Sequence, residues 1–340
     1  TTPPTIAVPP TAPDTSPPAP STRPDRIRVE QFVVTGSTVF DAEDLAAIAT
    51  AAVQDTGDTQ TDLNLCDIQG PPTLSEPLVL TPSQLIAASD AIEQCYIRAS
   101  YINSGAFIAE SELTGAEDGI VEITVVEGRL ETINVQLTRS GLFGLRPSYV
   151  ESRLRAAVRD PFNLDDLVEA VQLLELDPLI NQISTELVPG TQTGTSVLNA
   201  NVVEDDGFDL VLFLDNDRSP AVGSFRKGLV ISQANLLGLG DRLTLGYNFS
   251  EGSNEFNLGY AVPINARNGT IGFNFSTTDS RVIEEPFTIL DIESVSREYE
   301  IFYRQPLILT PTEEFALSLR GTYRESQAAF LESIAGESLP

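Results

Sequence analysis

The sequence predicts two α+β modules followed by the antiparallel strands of a transmembrane β-barrel. The C-terminal part alternates apolar with small or polar residues in one segment after another, which is the period of a β-strand. The N-terminal part contains the element order β-α-α-β-β twice, as an internal repeat of about 75 residues. No apolar run approaches the roughly 18 residues of a membrane-spanning helix, so we expect any membrane crossing to use strands that close on themselves.

Each C-terminal strand has one apolar and one polar face. Segment 241–250 shows this with two alternating sets: Leu243, Leu245, Tyr247 and Phe249 on one face, and Thr244, Gly246, Asn248 and Ser250 on the other. Lengths of about ten residues, with aromatic residues on the apolar face, are typical of outer-membrane barrels. A soluble β-sandwich also alternates and is the alternative. The predicted strands are 208–217, 224–236, 241–250, 254–263, 268–277, 295–305 and 313–324.

The net charge of the chain is −29, and most of it lies in the first 206 residues, where 31 acidic and 10 basic residues give −21. An acidic surface does not attract the phosphates of nucleic acids or anionic lipid headgroups. We therefore expect no nucleic-acid partner, and we interpret most of the acidic charge as a contribution to solubility.

Histidine is absent from the chain, which excludes Ser-His-Asp and Cys-His catalysis and histidine-ligated metal sites. No other catalytic constellation is present in the sequence, so we expect a protein that is not an enzyme and that uses no cofactor or metal. The two cysteines, Cys66 and Cys95, are predicted to form one disulfide between a loop and the helix that follows it, if the chain is exported. The alternative is a pair of unrelated buried thiols.

The first 24 residues contain nine of the 23 prolines, separated mainly by Thr, Ser and Ala. Such a segment cannot bury a core, so residues 1–25 are predicted to be a disordered linker. The first module then begins with a strand over residues 27–35. Asp41 is the predicted cap of one helix, and Thr81 with Gln84 forms the capping box of the next. Short strands over 106–110 and 119–127 complete the module.

The second module repeats this order. It contains a strand over 131–138, one helix marked by Val150 and Leu154, and another that is capped by Asn163 and ends at Pro178. Strands over 182–188 and 196–204 close it. The sequences Val125-Val126-Glu127 and Val202-Val203-Glu204 occupy equivalent closing positions in the two modules.

Several motifs of this chain occur together. The N-terminal set is Phe32-x-Val34-x-Gly36-x-Thr38-x-Phe40, AIEQCY at 91–96, YINSGAFI at 101–108, VEITVVEG at 121–128 and LLELDPLI at 173–180. The C-terminal set is DNDRSP at 215–220, NLLGLGD at 235–241 and PIN at 263–265. Together they resemble the POTRA (polypeptide-transport-associated) modules and first barrel strands of two-partner secretion transporters, the hemolysin activation/secretion family. The resemblance extends from about residue 27 to residue 330.

This resemblance implies four parts: a linker (1–25), POTRA 1 (26–129), POTRA 2 (130–206) and the N-terminal strands of an outer-membrane barrel (207–340). It also implies a function as an outer-membrane translocator. POTRA modules in the periplasm would capture an unfolded client, a large β-helical exoprotein, and the barrel would secrete it. A barrel-assembly factor of the same superfamily and a structural envelope protein that transports nothing are the alternatives.

The strand number departs from the family. The resemblance implies roughly sixteen strands in a closed barrel, whereas the sequence predicts seven. Because an open sheet of seven strands would expose two unpaired edges, we expect an incomplete barrel and a C-terminally truncated chain.

The predicted client-binding site is an exposed strand edge of POTRA 1. An extended client can add to such an edge as a further strand through backbone hydrogen bonds. The predicted residues are Ala106, Phe107, Ile108 and Ala109 on the edge, with Tyr96 and Tyr101 as an apolar wall beside it. Ordinary core packing is the alternative role for the two tyrosines.

Overall fold

The computed structural model describes residues 26–54, 65–71, 76–111, 113, 119–139, 141 and 143–329. The predicted linker lies outside these residues. The described chain forms two compact units. The first contains the residues up to Glu93 together with Ala106–Val125, and the second contains Gln94–Gly105 and the residues from Val126 onward.

The first module has the predicted element order with one addition. Its elements are β1 (Ile27–Val29), β2 (Gln31–Thr35), α1 (Ala42–Gln54), β3 (Leu78–Leu80), α2 (Pro82–Arg98), β4 (Gly105–Ile108) and β5 (Ile120–Val126). The strand predicted over 27–35 divides at Glu30, whose N–H donates to the carbonyl oxygen of Gly119 (2.7 Å). The strand β1 pairs with β3 instead. The sequence did not predict β3, because three residues are too few to display a period of two.

Both helices of the first module begin at their predicted caps. The Asp41 carboxylate accepts a hydrogen bond from the Glu43 N–H (2.9 Å) at the start of α1. At the start of α2, the Thr81 N–H donates to Gln84 Oε1 (2.9 Å), and the Gln84 N–H donates to Thr81 Oγ1 (3.4 Å). These bonds satisfy amides that have no partner inside the helix. Among the described helices, none is long and apolar enough to cross a membrane.

The second module consists of β6 (Arg129–Thr138), α3 (Pro147–Ala157), α4 (Leu164–Glu175), β7 (Ile180–Pro189) and β8 (Thr195–Glu204). Its sheet order is β6-β8-β7, which repeats the order β2-β5-β4 of the first module, and in both sheets the first strand is parallel to the last. Val150, Leu154 and Phe162 are fully buried in its core. The predicted internal repeat is therefore present in three dimensions.

The C-terminal part is one antiparallel sheet in which every strand pairs with its neighbours in the chain. Its strands are β9 (Phe208–Asp215), β10 (Arg226–Ala234), β11 (Arg242–Ser250), β12 (Ser253–Pro263), β13 (Thr270–Arg281), β14 (Glu293–Leu309) and β15 (Glu314–Ala329). All seven predicted strands are present. The fold class predicted from the sequence is confirmed, with β14 and β15 longer than expected, at 17 and 16 residues.

The pairing register of this sheet joins the apolar sets of neighbouring strands into one face. A row of directly paired side chains crosses all seven strands, through Leu210, Ile231, Leu245, Leu258, Phe275, Tyr299 and Tyr323. The opposite face presents small and polar residues, including Gly246, Asn257, Gly259 and Asn274. A shift by one residue would move a strand's apolar set to the wrong face, so the alternation in the sequence selects this register.

Candidate functional site

The predicted client-binding edge of POTRA 1 is an edge strand of its sheet, since β4 lies outermost in the order β2-β5-β4. The strand is shorter than predicted and ends at Ile108. Ala106 is buried, whereas the side chain of Phe107 is 50% exposed. Ala109 follows the strand, and its carbonyl oxygen accepts a hydrogen bond from the Leu113 N–H (3.3 Å). Within the predicted edge, the side chains of Phe107 and Ala109 are therefore exposed, and that of Ile108 is half-buried.

The two predicted wall tyrosines differ in accessibility. Tyr96 is fully buried, and its hydroxyl donates to Glu127 Oε1 (2.9 Å). Tyr101 is half-buried and meets the Tyr96 ring edge-on, with the ring centroids 6.1 Å apart. Tyr96 therefore packs in the core, which was the alternative role, whereas Tyr101 remains partly exposed.

The cysteines are not free thiols. Cys66 lies in the short 3₁₀ helix Leu65–Asp67, and Cys95 lies on α2. Both are disulfide-bonded, and no free cysteine occurs among the described residues. This state suits an exported module, because disulfides persist in oxidising compartments.

A polar cluster joins the second module to the seven-stranded sheet. It consists of Tyr149 and Arg153 on α3, Asp177 after α4, and Asn268 in the turn between β12 and β13; we call it the junction cluster. Arg153 Nη2 and Nε donate to Asn268 Oδ1 at 2.8 and 3.1 Å. The guanidinium carbon of Arg153 lies 3.5 Å from the centroid of the Tyr149 ring, and the Tyr149 hydroxyl donates to Asp177 Oδ2 (2.6 Å).

The electrostatics of the junction cluster follow from its burial. Loss of water lowers the pKa of the Arg153 guanidinium, because burial disfavours its charged form. Burial, and then the adjacent Asp177 carboxylate, raise the pKa of the Tyr149 hydroxyl. The tyrosine therefore stays protonated and continues to donate to Asp177. No three potential metal ligands cluster among the described residues.

Tyr149 also contacts a second turn of the sheet. A Cβ atom at Gly240, in the turn between β10 and β11, would lie 2.2 Å from the Tyr149 ring, so the glycine allows close approach. The turn is anchored by Asp241, which accepts hydrogen bonds from the Leu237 N–H (2.9 Å) and the Tyr260 hydroxyl (3.0 Å). One helix of the second module, α3, thus contacts two turns of the sheet.

The sequence alone does not reveal the junction cluster. Tyr149 and Arg153 are four residues apart on α3 and so lie on one helix face, but Asn268 is 115 residues away from Arg153. The four-residue spacing of Tyr149 and Arg153 was the signal in the sequence that could have indicated a shared contact. Nothing in the local sequence indicates which distant turn would receive it.

We expect Arg153→Ala to loosen the contact between α3 and the turn that contains Asn268. The change removes a desolvated cation–π contact and two hydrogen bonds from a charged donor, which together contribute about 2–4 kcal/mol. Arg155→Ala is the matched control, because Arg155 lies on the same helix and forms an exposed pair with Glu151, a contact worth about 0.3–0.5 kcal/mol. Hydrogen exchange of segment 264–270 should accelerate at least about tenfold in the first variant alone. Equal exchange in the two variants would contradict this role.

Two β-α-α-β-β modules in tandem, followed by an antiparallel sheet with a continuous apolar face, define a class, the outer-membrane proteins that combine POTRA modules with barrel strands. Residues 194–334 match the family model of the Haemolysin secretion/activation protein ShlB/FhaC/HecB. The Outer membrane transporter CdiB of Escherichia coli is 27% identical over 185 residues, which cover 53% of this chain and 30% of that protein. Its namesake from Dickeya dadantii (strain 3937) is 26% identical over 198 residues, which cover 56% and 33%.

Two solved structures have a fold similar to that of this chain. CdiB from Escherichia coli superposes with a TM-score of 0.56 at 20% identity, over 96% of this chain and 55% of that one. CdiB from Acinetobacter baumannii gives 0.52 at 15% identity, over 94% and 58%. The matches thus span about a third of the curated relatives and somewhat more than half of the solved chains. Together these similarities confirm the resemblance of the sequence motifs to two-partner secretion outer-membrane transporters.

Proposed function

We propose that this chain belongs to an outer-membrane translocator that captures an unfolded exported client on periplasmic POTRA modules and secretes it through a β-barrel pore. The observation that carries the proposal is the direct seating of POTRA 2 on two turns of the seven-stranded sheet. The strand β8 ends at Glu204 and β9 begins at Phe208, and the junction cluster ties α3 to two turns. A client held on POTRA 2 would therefore lie beside the strands that form the pore.

Client capture is supported by the exposed edge β4. An unfolded client exposes backbone donors and acceptors along its whole length, and an edge strand offers a complementary row of such groups. Backbone pairing tolerates different side chains, which suits a surface along which a long client must move. Phe107 adds an exposed aromatic ring beside this row.

Deletion of the gene from its host, followed by comparison of the secreted and outer-membrane proteins, tests the proposal. We expect the loss of one large secreted protein, with the outer-membrane barrels unchanged. Complementation with the intact gene should restore its secretion. Depletion of many barrels would instead favour an assembly factor, and unchanged secretion would favour a structural envelope protein.

A further inference from the structure

A cavity of about 380 Å³ lies where POTRA 2 meets a turn of the sheet. Residues of the loop between β6 and α3 form one wall, and the turn between β10 and β11 forms the other. The walls are joined at Arg146, whose N–H donates to the carbonyl oxygen of Gly238 (3.0 Å). The cavity therefore lies at the level where two strands of the sheet end.

Two arginines, Arg139 and Arg146, line this cavity, and none of the described residues that line it is acidic. Within the part of the chain that the structure describes, the ion pairs engage other arginines. A Cβ atom at Gly144 would lie 2.2 Å from Arg139 Nε, and one at Gly238 would lie 3.4 Å from Arg146 Nε and 3.0 Å from the Gly144 carbonyl oxygen. Both guanidiniums thus lie at one contact between two glycines.

Exposed apolar side chains occur at the same level of the molecule. Phe143 and Leu237, which also line the cavity, are 37% and 54% exposed, and Leu239 of the same turn is 37% exposed. Phe208 begins β9, lies on the face of the apolar row because it precedes Leu210 by two residues, and is 53% exposed. Aromatic residues at the ends of strands are typical of the boundary between lipid and water in a barrel.

The net charge of −29 does not exclude an anion from this cavity. At physiological ionic strength, exposed charges farther away than about 8 Å are largely screened, so the nearest side chains decide the local potential. A guanidinium binds phosphate oxygens through two parallel hydrogen bonds. Because the described lining offers no carboxylate to an ammonium group, it favours a headgroup with a net negative charge.

We propose that this cavity binds the headgroup of an anionic glycerophospholipid, with the phosphate held by Arg139 and Arg146. The acyl chains follow the apolar face of the sheet, and Phe143 and Leu237 lie beside the glycerol part of the lipid. A bound lipid would hold POTRA 2 at the membrane surface. The inference requires that the apolar face of the sheet contacts lipid, and it is independent of which client is secreted.

Native mass spectrometry of the detergent-solubilised chain tests the inference, with dioleoylphosphatidylglycerol as the probe and dioleoylphosphatidylcholine as the zwitterionic comparison. We expect the first lipid to bind at least about tenfold more tightly. Arg139→Gln and Arg146→Gln should each weaken its binding about tenfold, the equivalent of one hydrogen bond to a charged group. Arg242→Gln is the matched control, with affinity within about twofold of the original chain. It removes the same charge beside the same turn, but Arg242 lines the trough on the polar face.

Equal affinities for the three variants, or equal binding of the two lipids, would overturn the inference. Displacement of the lipid by an equal concentration of glycerol 3-phosphate would assign the cavity to a soluble phosphate compound and would also overturn it. A salt titration of the unsubstituted chain keeps the test decisive if an arginine variant fails to fold. Binding of the anionic lipid should weaken as salt rises from about 0.05 to about 0.5 M, because salt screens the attraction, and unchanged binding would contradict the arginine contacts.

Discussion

Leu245→Arg is expected to lower the amount of the chain that inserts into the outer membrane. Leu245 lies in the middle of β11 and in the apolar row that crosses all seven strands. An arginine at the midplane of the lipid face of a barrel costs about 2–4 kcal/mol. The measurement is the abundance of folded chain in the outer-membrane fraction, compared with the unsubstituted protein.

Thr244→Arg is the control for this effect. Thr244 is adjacent in sequence and points to the polar face. There it lines a trough of about 480 Å³ together with Asn257, Gly259 and Asn274. The trough gives the arginine space and polar neighbours, so we expect near-normal insertion. Equal loss in both variants, or in neither, would contradict the assignment of the apolar face to lipid.

Gly36→Ala is expected to destabilise POTRA 1 by about 3 kcal/mol or more. Gly36 has a φ of +83°, and an added Cβ would lie 2.3 Å from the carbonyl oxygen of Val125 on β5. The left-handed backbone disfavours any side chain, and the obstacle is backbone in the central strand of the sheet, which cannot rotate away. The free energy of unfolding can be obtained from the urea dependence of proteolysis of the detergent-solubilised chain.

Gly70→Ala separates the effect of the left-handed backbone from the effect of the close contact with β5. Gly70 also has a positive φ, +102°, but no described atom lies within 4 Å of the added Cβ. The free energy of unfolding of Gly70→Ala should fall only by the cost of placing a side chain on a left-handed backbone, about 1–2 kcal/mol. If the two variants were equally stable, the close approach of Gly36 to β5 would not be a constraint on the fold.

Periodic and local signals in the sequence were sufficient to predict most of the architecture. The alternation around Leu245 predicted a strand and its apolar face, because successive side chains of any strand point to opposite sides. The caps at Asp41 and Thr81 were predictable because a cap involves residues two or three positions apart. Glu127 and Glu204, which end equivalent segments of the two modules, indicated the repeat from the sequence alone.

The candidate site was predictable only in part. The sequence placed β4 on an edge through its resemblance to POTRA modules, but it could not distinguish Tyr96 from Tyr101. Both are aromatic residues near the end of α2, and the exposure of each ring depends on which distant residues pack against it. In the structure, Tyr96 is buried and its hydroxyl donates a hydrogen bond to Glu127, 31 residues along the chain. Tyr101 is half-buried.

The two modules, the seven strands and the separation of apolar from polar faces can all be predicted from the order of residues along the chain. These features arise from patterns within a segment, which burial and backbone geometry impose locally. The parallel pairing of β6 with β8, the edge position of β7 and the junction cluster emerge only in the folded chain. Each of these depends on which distant segments meet, as Arg153 meets Asn268, and a pattern within one segment carries no information about its partner.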